Sequence, residues 1–164
     1  MKYVKLQQDL VKLADKRDRG AGSKRVRLFW GKPDEEDGYI EIVINGVYIV
    51  FIREDMRYID LDKVCKGAQI DIKRLMKDQY EAIEATNTIS SRKIRTVGSL
   101  KVRIFETEKD SEIWIDENNL KYFDLDNSTF KGTDRNGPIY IYEADPINRL
   151  VGYVLPVRHN EVTE

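Results

Sequence analysis

Apolar residues recur at spacings of three and four at the start of the chain. Leu6, Leu10 and Leu13, with Tyr3 before them, form one stripe. The remaining faces carry polar side chains: Gln7, Gln8, Asp9, Lys12 and Lys16. This spacing predicts an amphipathic α-helix. The run from Gly20 to Ser23 predicts its end, because glycine favours loops.

Two runs over 39–44 and 47–52 give the clearest strand pattern in the chain. Both are apolar at nearly every position, and Asn45 and Gly46 lie between them. An Asn-Gly pair favours a type I′ turn, because both residues tolerate positive φ. The sequence therefore predicts a β-hairpin that is covered on both faces.

Other apolar and β-branched runs predict further strands. These are 26–30, 58–61, 92–105 with an interruption at Gly98 and Ser99, 112–115, 138–142 and 150–157. A second helix is predicted from about Asp71 to Ala85. Asp116 is expected to cap a brief helix that runs through Phe123. Helices between antiparallel hairpins predict an α+β fold, with antiparallel sheet, two main helices and one short helix.

Length and composition agree with this fold. The chain has 164 residues, of which 41% are apolar and 35% charged, as in one globular domain. We expect a single α+β domain over 1–158 and a disordered tail over 159–164. Trp30 and Trp114 are expected in the core. No leader-like segment or run of membrane-spanning length is present, so the chain is predicted to be cytoplasmic.

Charge is segregated along the chain, although the net charge is only −1. Residues 1–27 hold nine basic and three acidic side chains, a balance of +6, so the remainder sums to −7. Residues 34–37 and 106–126 are acid-rich, and 92–103 holds five basic residues and no acid. Segregation of this kind creates patches that attract charged partners, or solvated surfaces that neutralise each other.

Residues suited to catalysis are few. The one histidine, His159, follows the last predicted strand, where nothing would hold it against a nucleophile. The one cysteine, Cys65, excludes a disulfide framework. Lys63 and Lys66 beside it would lower its pKa, but a buried or incidental thiol is favoured. We therefore expect no enzyme activity, no cofactor and no metal.

A weak carboxylate pattern leaves one enzyme hypothesis open. Asp60, Asp62 and the run Asp71-Ile72-Lys73 loosely resemble the carboxylates and lysine of metal-dependent nucleases. Asp71 opens a predicted helix, where a carboxylate also stabilises the N-terminus for structural reasons. A nuclease is therefore the third of three hypotheses.

The basic segment at the start of the chain is the candidate nucleic-acid site. Its seven cations lie on the end of the first helix and in the following loop: Lys12, Lys16, Arg17, Arg19, Lys24, Arg25 and Arg27. Lys and Arg contact phosphates without reading sequence, which gives salt-dependent affinity for duplex DNA. A solvated helix end is the alternative, because the negative dipole at a helix C-terminus also favours cations.

Both ends of the chain resemble bacterial DNA sliding clamps. Met1-Lys2-Tyr3 leads into a helix with leucines at positions 6, 10 and 13, and 137–142 with 150–158 is similar to the final clamp hairpin. The ending also resembles that of small phage-type proteins with a clamp-like end. The resemblance implies that Lys12, Lys16 and Arg17 contact DNA phosphates. It also implies an apolar pocket for short partner peptides, bordered by Leu155, Pro156, Val157 and Arg158.

The same four C-terminal residues have a plain alternative as the closing edge of the core. A chain with room for one clamp-like domain would encircle DNA only as a head-to-tail oligomer. The sequence thus predicts a non-enzymatic accessory binding protein of DNA metabolism that resembles a clamp domain, with duplex DNA or a short peptide of a protein as partner. The alternative is a phage-type inhibitor of a host protein, an anti-defence factor or DNA mimic, for which residues 106–126 would matter most.

Overall fold

The computed structural model describes residues 1–20, 26–31, 38–66, 85–144 and 149–158, except for the side chains of residues 91 and 92. These residues form mostly antiparallel sheet with two α-helices, which confirms the α+β class. They belong to two compact units, Met1–Glu81 and Ala82–Glu164. The expectation of a single domain over 1–158 stays a prediction.

The first unit contains one long helix and three antiparallel strands. Helix α1 (Tyr3–Asp18) comes first, and the strands β1 (Leu28–Gly31), β2 (Tyr39–Ile44) and β3 (Tyr48–Arg53) follow in that order across the sheet. A 3-10 turn at Glu54–Met56 then leads into a short helix, α2 (Leu61–Cys65). The predicted strand at 26–30 is confirmed as β1, which starts two residues later and ends one residue later than predicted.

Helix α1 confirms the first predicted helix. Leu6, Leu10 and Ala14 are buried along one stripe. The chain leaves the helix through Gly20, whose φ of +63° is available to glycine without a steric penalty. The assignment of Gln7 to a polar face is wrong, because its side chain is 0% exposed.

The buried amide of Gln7 ties α1 to the segment after β3. Its Nε2 donates to the carbonyl oxygen of Met56 at 3.0 Å and to that of Tyr3 at 3.4 Å. Its Oε1 accepts from the backbone N–H of Tyr58 at 2.9 Å. Both ends of the amide are hydrogen-bonded, which compensates for the loss of water around it.

Strands β2 and β3 form the predicted hairpin. Asn45 and Gly46 have φ values of +56° and +69°, as a type I′ turn requires. The N–H of Val47 donates to the carbonyl of Ile44 at 3.1 Å and closes the turn. Consecutive residues of both strands are buried, so both faces are covered as predicted.

The predicted strand at 58–61 is wrong. Asp60 ends the extended segment and caps α2, because its carboxylate accepts from the backbone N–H of Lys63 at 3.1 Å. A capping aspartate satisfies an otherwise free donor of the first helical turn. This local hydrogen bond outweighs the strand propensity of the neighbouring Tyr58 and Ile59.

The described part of the second unit contains six antiparallel strands. They are β4 (Thr86–Val97), β5 (Leu100–Thr107), β6 (Glu112–Asp116), β7 (Ser128–Gly132), β8 (Ile139–Glu143) and β9 (Arg149–Val154). Their order in the sheet is β9-β8-β7-β4-β5-β6. Beyond β9, the N–H of Val157 donates to the carbonyl of Trp114 in β6 at 2.8 Å. The chain after β9 therefore contacts β6, which lies at the opposite end of this strand order from β9.

Most elements of the second unit are confirmed in outline. Gly98, with φ of +59°, and Ser99 form the turn between β4 and β5, where an interruption is predicted. Asp116 caps a helix as predicted, accepting from the N–H of Asn118 at 3.0 Å. That helix is a 3-10 turn over Glu117–Leu120 and does not reach Phe123.

One strand of this sheet was not predicted. β7 carries a single large apolar side chain, Phe130, and lacks a strand pattern of its own. It exists because it pairs with β4 on one side and with β8 on the other. Its backbone groups are thus satisfied by tertiary pairing and not by local propensity.

Two predictions concern residues outside the described part. The helix from about Asp71 lies there except for Ala85, and so does the tail over 159–164. Trp30 is buried at 8% exposure, as expected, whereas Trp114 is only half-buried. Within the described ranges, no helix is both long and apolar enough to cross a membrane.

Replacing Gln7 with alanine should lower the free energy of unfolding by about 2 to 4 kcal/mol. The change leaves the N–H of Tyr58 and the carbonyl of Met56 without their partner, and each such group costs about 1 to 3 kcal/mol. Urea unfolding measures the loss. Gln8→Ala on the exposed face is the matched control and should stay within about 0.5 kcal/mol of the parent. Equal effects of the two substitutions would contradict a structural role for the buried amide.

Candidate functional site

A groove of about 350 Å³ opens where β4, β5 and β6 lie side by side. We call it the acidic groove. Its lining comes from β4, β5, the β5–β6 loop and the start of β6: Asn87, Ile89, Glu106, Thr107, Glu108, Asp110, Ser111 and Glu112. Half of these side chains are carboxylates, so the groove concentrates negative potential.

Hydrogen bonds between Thr107 and Ser111 shape the loop that borders the groove. Their hydroxyl oxygens lie 2.8 Å apart, and the N–H of Ser111 donates to Thr107 Oγ1 at 3.2 Å. The N–H of Thr107 donates to the carbonyl of Ser111 at 3.0 Å. Asp110 has a φ of +55°, a conformation that aspartate tolerates better than most residues. Glu108 and Asp110 are thereby exposed.

The strand register sets two carboxylates directly opposite each other. Glu106 pairs with Glu112 on β6 and with Ile89 on β4. Like charges opposite each other destabilise an antiparallel pair. Glu112 is compensated, because the indole Nε1 of Trp114 donates to its Oε2 at 2.9 Å and Arg95 lies 3.9 Å away. Arg95 in turn lies 5.4 Å from the Trp114 ring centroid, in a cation–π contact.

Three carboxylates of the groove lack such compensation. Within the described residues, the side chains of Glu106, Glu108 and Asp110 have no hydrogen bond or ion pair. Ile89 lies in the same cross-strand row as Glu106 and is 75% exposed. Paired residues of neighbouring strands point to the same face. The groove therefore offers an uncovered apolar side chain beside free negative charge.

Other acids of the region 106–126 have structural roles. Glu117 accepts two hydrogen bonds from Arg103, from Nε at 2.8 Å and from Nη2 at 2.7 Å, and these bonds raise the pKa of the arginine. Asp116 caps the 3-10 turn, and Asp124 accepts from Asn127 Nδ2 at 2.9 Å. The acidic region therefore contains carboxylates that stabilise the fold and, at the groove, carboxylates that have no partner among the described residues.

Arg17, one of the predicted DNA-contacting cations, is held inside the first unit. Its side chain is 15% exposed, and its Nη1 donates to the carbonyl of Val64 at 2.9 Å. Its Nε donates to Asp18 at 2.9 Å, and Asp18 also lies 2.8 Å from Lys66. Hydrogen bonds from Arg17 and Lys66 lower the pKa of Asp18. Arg17 therefore fastens α1 to the C-terminal turn of α2.

Four of the predicted cations are exposed: Lys12, Lys16, Arg19 and Arg27. Lys12 lies 3.8 Å from Asp9, which draws it toward its own helix. Lys24 and Arg25 lie outside the described residues. The structure thus brings Lys16 and Arg19 together at the end of α1, with Arg27 just before β1.

The predicted peptide-binding residues follow β9. Leu155, Pro156 and Val157 are half-buried and Arg158 is exposed. The hydrogen bond from Val157 to Trp114 places this segment along β6. None of the four residues lines the acidic groove.

The Cys65 thiol is buried, as the favoured sequence interpretation expects. Its exposed fraction is 1%, and burial raises its pKa to about 11, although Arg17 acts in the opposite direction. Asp60, part of the nuclease-like pattern, caps α2, and 71–73 lie outside the described residues. The described ranges contain no group of three or more His, Cys, Asp or Glu that could hold a metal.

The acidic groove was only partly visible in the sequence. The clustering of acids at positions 106, 108, 110 and 112 is a signal, since closely spaced carboxylates concentrate negative charge. The position of Ile89 beside them depends on the pairing of β4 with β5. No known protein family, curated protein or solved structure matches the chain. Its function is therefore inferred from the chemistry of these residues.

Cys65 should react with a disulfide reagent at pH 8 about 100-fold more slowly in the native chain than in the unfolded one. The thiolate is the reactive form, and a pKa of about 11 leaves little of it. The raised pKa also stabilises the folded state below its ordinary value near 9.0, and this contribution is lost as the pH rises toward about 11. Cys65→Ala should remove that part of the pH dependence. Rapid labelling of the native chain would contradict the buried thiol.

Proposed function

We propose that this chain is a non-enzymatic binding protein that presents the acidic groove to a cationic, partly apolar surface of a protein partner. The observation that carries the proposal is the cross-strand row of Ile89, Glu106 and Glu112, in which an exposed apolar side chain lies beside carboxylates. Glu108 and Asp110 extend the negative charge into the adjoining loop.

These features weaken the isolated fold and favour a complex. Glu106 lies opposite a second carboxylate and has no cation of its own among the described residues, so a partner lysine or arginine would supply the missing charge. Covering Ile89 would withdraw apolar surface from water. An exposed ion pair contributes up to about 1 kcal/mol, and a pair that is desolvated at an interface contributes more.

The negative charge of the groove suits one kind of binding protein best. This is an inhibitor of a nucleic-acid-binding protein, such as a phage-type anti-defence factor. Protein sites for phosphate groups are lined with lysine and arginine. Carboxylates at the end of a strand and in the loop that follows it can occupy such a site in place of phosphates. The free acids at positions 106, 108 and 110 support this assignment, because they are not consumed by pairs within the described residues.

A labelled peptide of alternating lysine and leucine should bind the chain in 50 mM salt. Neutralising the three free carboxylates should weaken this binding about tenfold or more, because the charge-assisted contacts are lost. The variant combines three substitutions: Glu106→Gln, Glu108→Gln and Asp110→Asn. Fluorescence anisotropy measures the affinity, and 500 mM salt should reduce it further.

A control variant with the same change in net charge tests whether the peptide binds at the groove or is attracted by net charge alone. It removes three exposed carboxylates elsewhere: Asp15→Asn, Asp62→Asn and Asp126→Asn. This control should bind the peptide within about twofold of the parent, since net charge alone acts weakly at a distance. If both variants lose affinity equally, the groove is not the binding site. A glutamate–leucine peptide that binds as well as the lysine peptide would also refute the proposal.

A second candidate is an accessory DNA-binding protein, as the clamp-like ends of the chain imply. It is favoured by Lys16 and Arg19, which are exposed at the end of α1 and have no ion pair among the described residues. Arg27 adds a third exposed cation. In this candidate, the segment 155–158 after β9 contacts a short peptide of a partner. Arg17 is left out of the phosphate contacts because its guanidinium binds Val64 and Asp18.

If this second candidate holds, Lys16→Ala with Arg19→Ala weakens binding to duplex DNA. Loss of two phosphate contacts reduces the slope of log affinity against log salt by about 1.8. Electrophoretic mobility or anisotropy titrations over 50 to 200 mM salt give that slope. Lys93→Ala with Lys109→Ala removes two exposed cations of the second unit and should leave the slope unchanged. A parent chain that does not bind duplex DNA in 50 mM salt eliminates this candidate.

A further inference from the structure

The first unit carries an exposed apolar surface that no role above explains. Val4, Met56 and Tyr58 are 61%, 46% and 57% exposed. The hydroxyl of Tyr58 donates to the carbonyl of Val4 at 3.0 Å, so the tyrosine lies against the first turns of α1. We call these three residues the tyrosine patch. Tyrosine and methionine are enriched at protein interfaces, and tyrosine often dominates the binding energy.

The tyrosine patch is held in place before any partner arrives. Gln7 is 0% exposed and bonds the backbone of both Met56 and Tyr58. A surface whose backbone is already ordered loses less conformational entropy on binding. A buried glutamine is an expensive way to fix an exposed segment, because an amide costs free energy to bury. The arrangement is therefore consistent with a surface kept rigid for contact.

Free charge around the tyrosine patch is positive. Lys2, just before α1, and Lys5, in its first turn, are exposed and have no ion pair among the described residues. The neighbouring arginines are engaged, because Arg53 pairs with Asp55 and Arg57 pairs with Glu54. The ammonium groups of the two lysines are thus available to a negatively charged partner.

We infer that, in the absence of another partner, the acidic groove binds the tyrosine patch of a second copy of this chain. This inference rests on the proposed function of the groove. The groove offers free carboxylates and the uncovered Ile89, and the patch offers free ammonium groups and uncovered Val4 and Tyr58. Each surface supplies the charge and the apolar cover that the other lacks. A groove of about 350 Å³ also admits an aromatic side chain.

Contact between two different surfaces is heterologous. Each copy that joins leaves one groove and one patch free, so assembly continues beyond two copies unless the geometry closes it. The contact combines charge with apolar burial, and its ionic part is screened by salt. The chain should therefore assemble in a manner that depends on both concentration and salt.

Light scattering after size-exclusion chromatography tests this assembly on the full chain. Between about 1 and 100 μM protein in 50 mM salt, the mean mass should rise at least twofold above the 19.2 kDa of one chain. In 500 mM salt it should return toward the monomer value. A chain that stays monomeric at 100 μM in 50 mM salt overturns the inference.

Complementary variants identify the two surfaces. The groove variant is Ile89→Ser with Glu106→Gln, and the patch variant is Tyr58→Ala with Lys5→Gln. Each variant alone should be monomeric. An equimolar mixture should form a dimer that does not grow, because one intact groove and one intact patch remain. Assembly by either variant alone, or a mixture that stays monomeric, contradicts the pairing.

A matched control on the same helix is Val11→Ser with Lys12→Gln, which changes an exposed apolar residue and a lysine outside the patch. It should assemble like the parent, and loss of assembly in this control would count against the tyrosine patch. Circular dichroism confirms that each variant is folded.

If the parent is monomeric but the groove still binds the lysine–leucine peptide, only the self-association is wrong. If neither the peptide nor a second copy binds, the proposed function falls as well.

Discussion

The antiparallel register of β4, β5 and β6 decides which side chains of the second unit share a surface. Pairing of Ile89 with Glu106, and of Glu106 with Glu112, puts one residue from each of the three strands into one row. A shift of one residue on any of these strands would turn its member of the row to the opposite face. The shape of the groove, its negative charge and its exposed isoleucine all depend on this register. The hydrogen-bonded loop between Thr107 and Ser111 supports it, because it connects β5 to β6 with the two glutamates opposite each other.

In the first unit, a buried polar group has the corresponding role. The amide of Gln7 binds the backbone on both sides of Arg57, and it thereby fixes the segment that carries Met56 and Tyr58. Burial of an amide is tolerated here because both of its ends have partners. The outcome is an exposed apolar surface on a rigid support. The two surfaces of the chain thus arise by different means, one from strand pairing and the other from a side-chain hydrogen bond to the backbone.

The charged side chains are of two kinds: those that stabilise the fold through internal contacts, and those that are exposed and have no partner among the described residues. Arg103 with Glu117 and Arg17 with Val64 and Asp18 belong to the first kind, and their guanidinium groups are largely covered. The free carboxylates of the groove and the lysines near Val4 belong to the second. Only the second kind can attract a partner without first breaking an internal contact. The sequence alone overstates the free charge of the basic segment at the start of the chain and of the acidic region 106–126. Some of the charged side chains in each are paired inside their own unit.

Signals that act within a few residues were sufficient to determine α1, the Asn45–Gly46 hairpin, the turn at Gly98 and the cap at Asp116. Their backbone conformations follow from periodicity, positive φ and side-chain capping, which need no distant partner. The acids at 106 to 112 were visible as well, since their clustering is local in the sequence. Only the tertiary structure decided the burial of Gln7 and of Arg17, the existence of β7 and the place of Ile89 beside Glu106. Each of these depends on a partner many residues away in the chain. Hydrophobicity and propensity do not encode which distant strand or carbonyl a residue will meet.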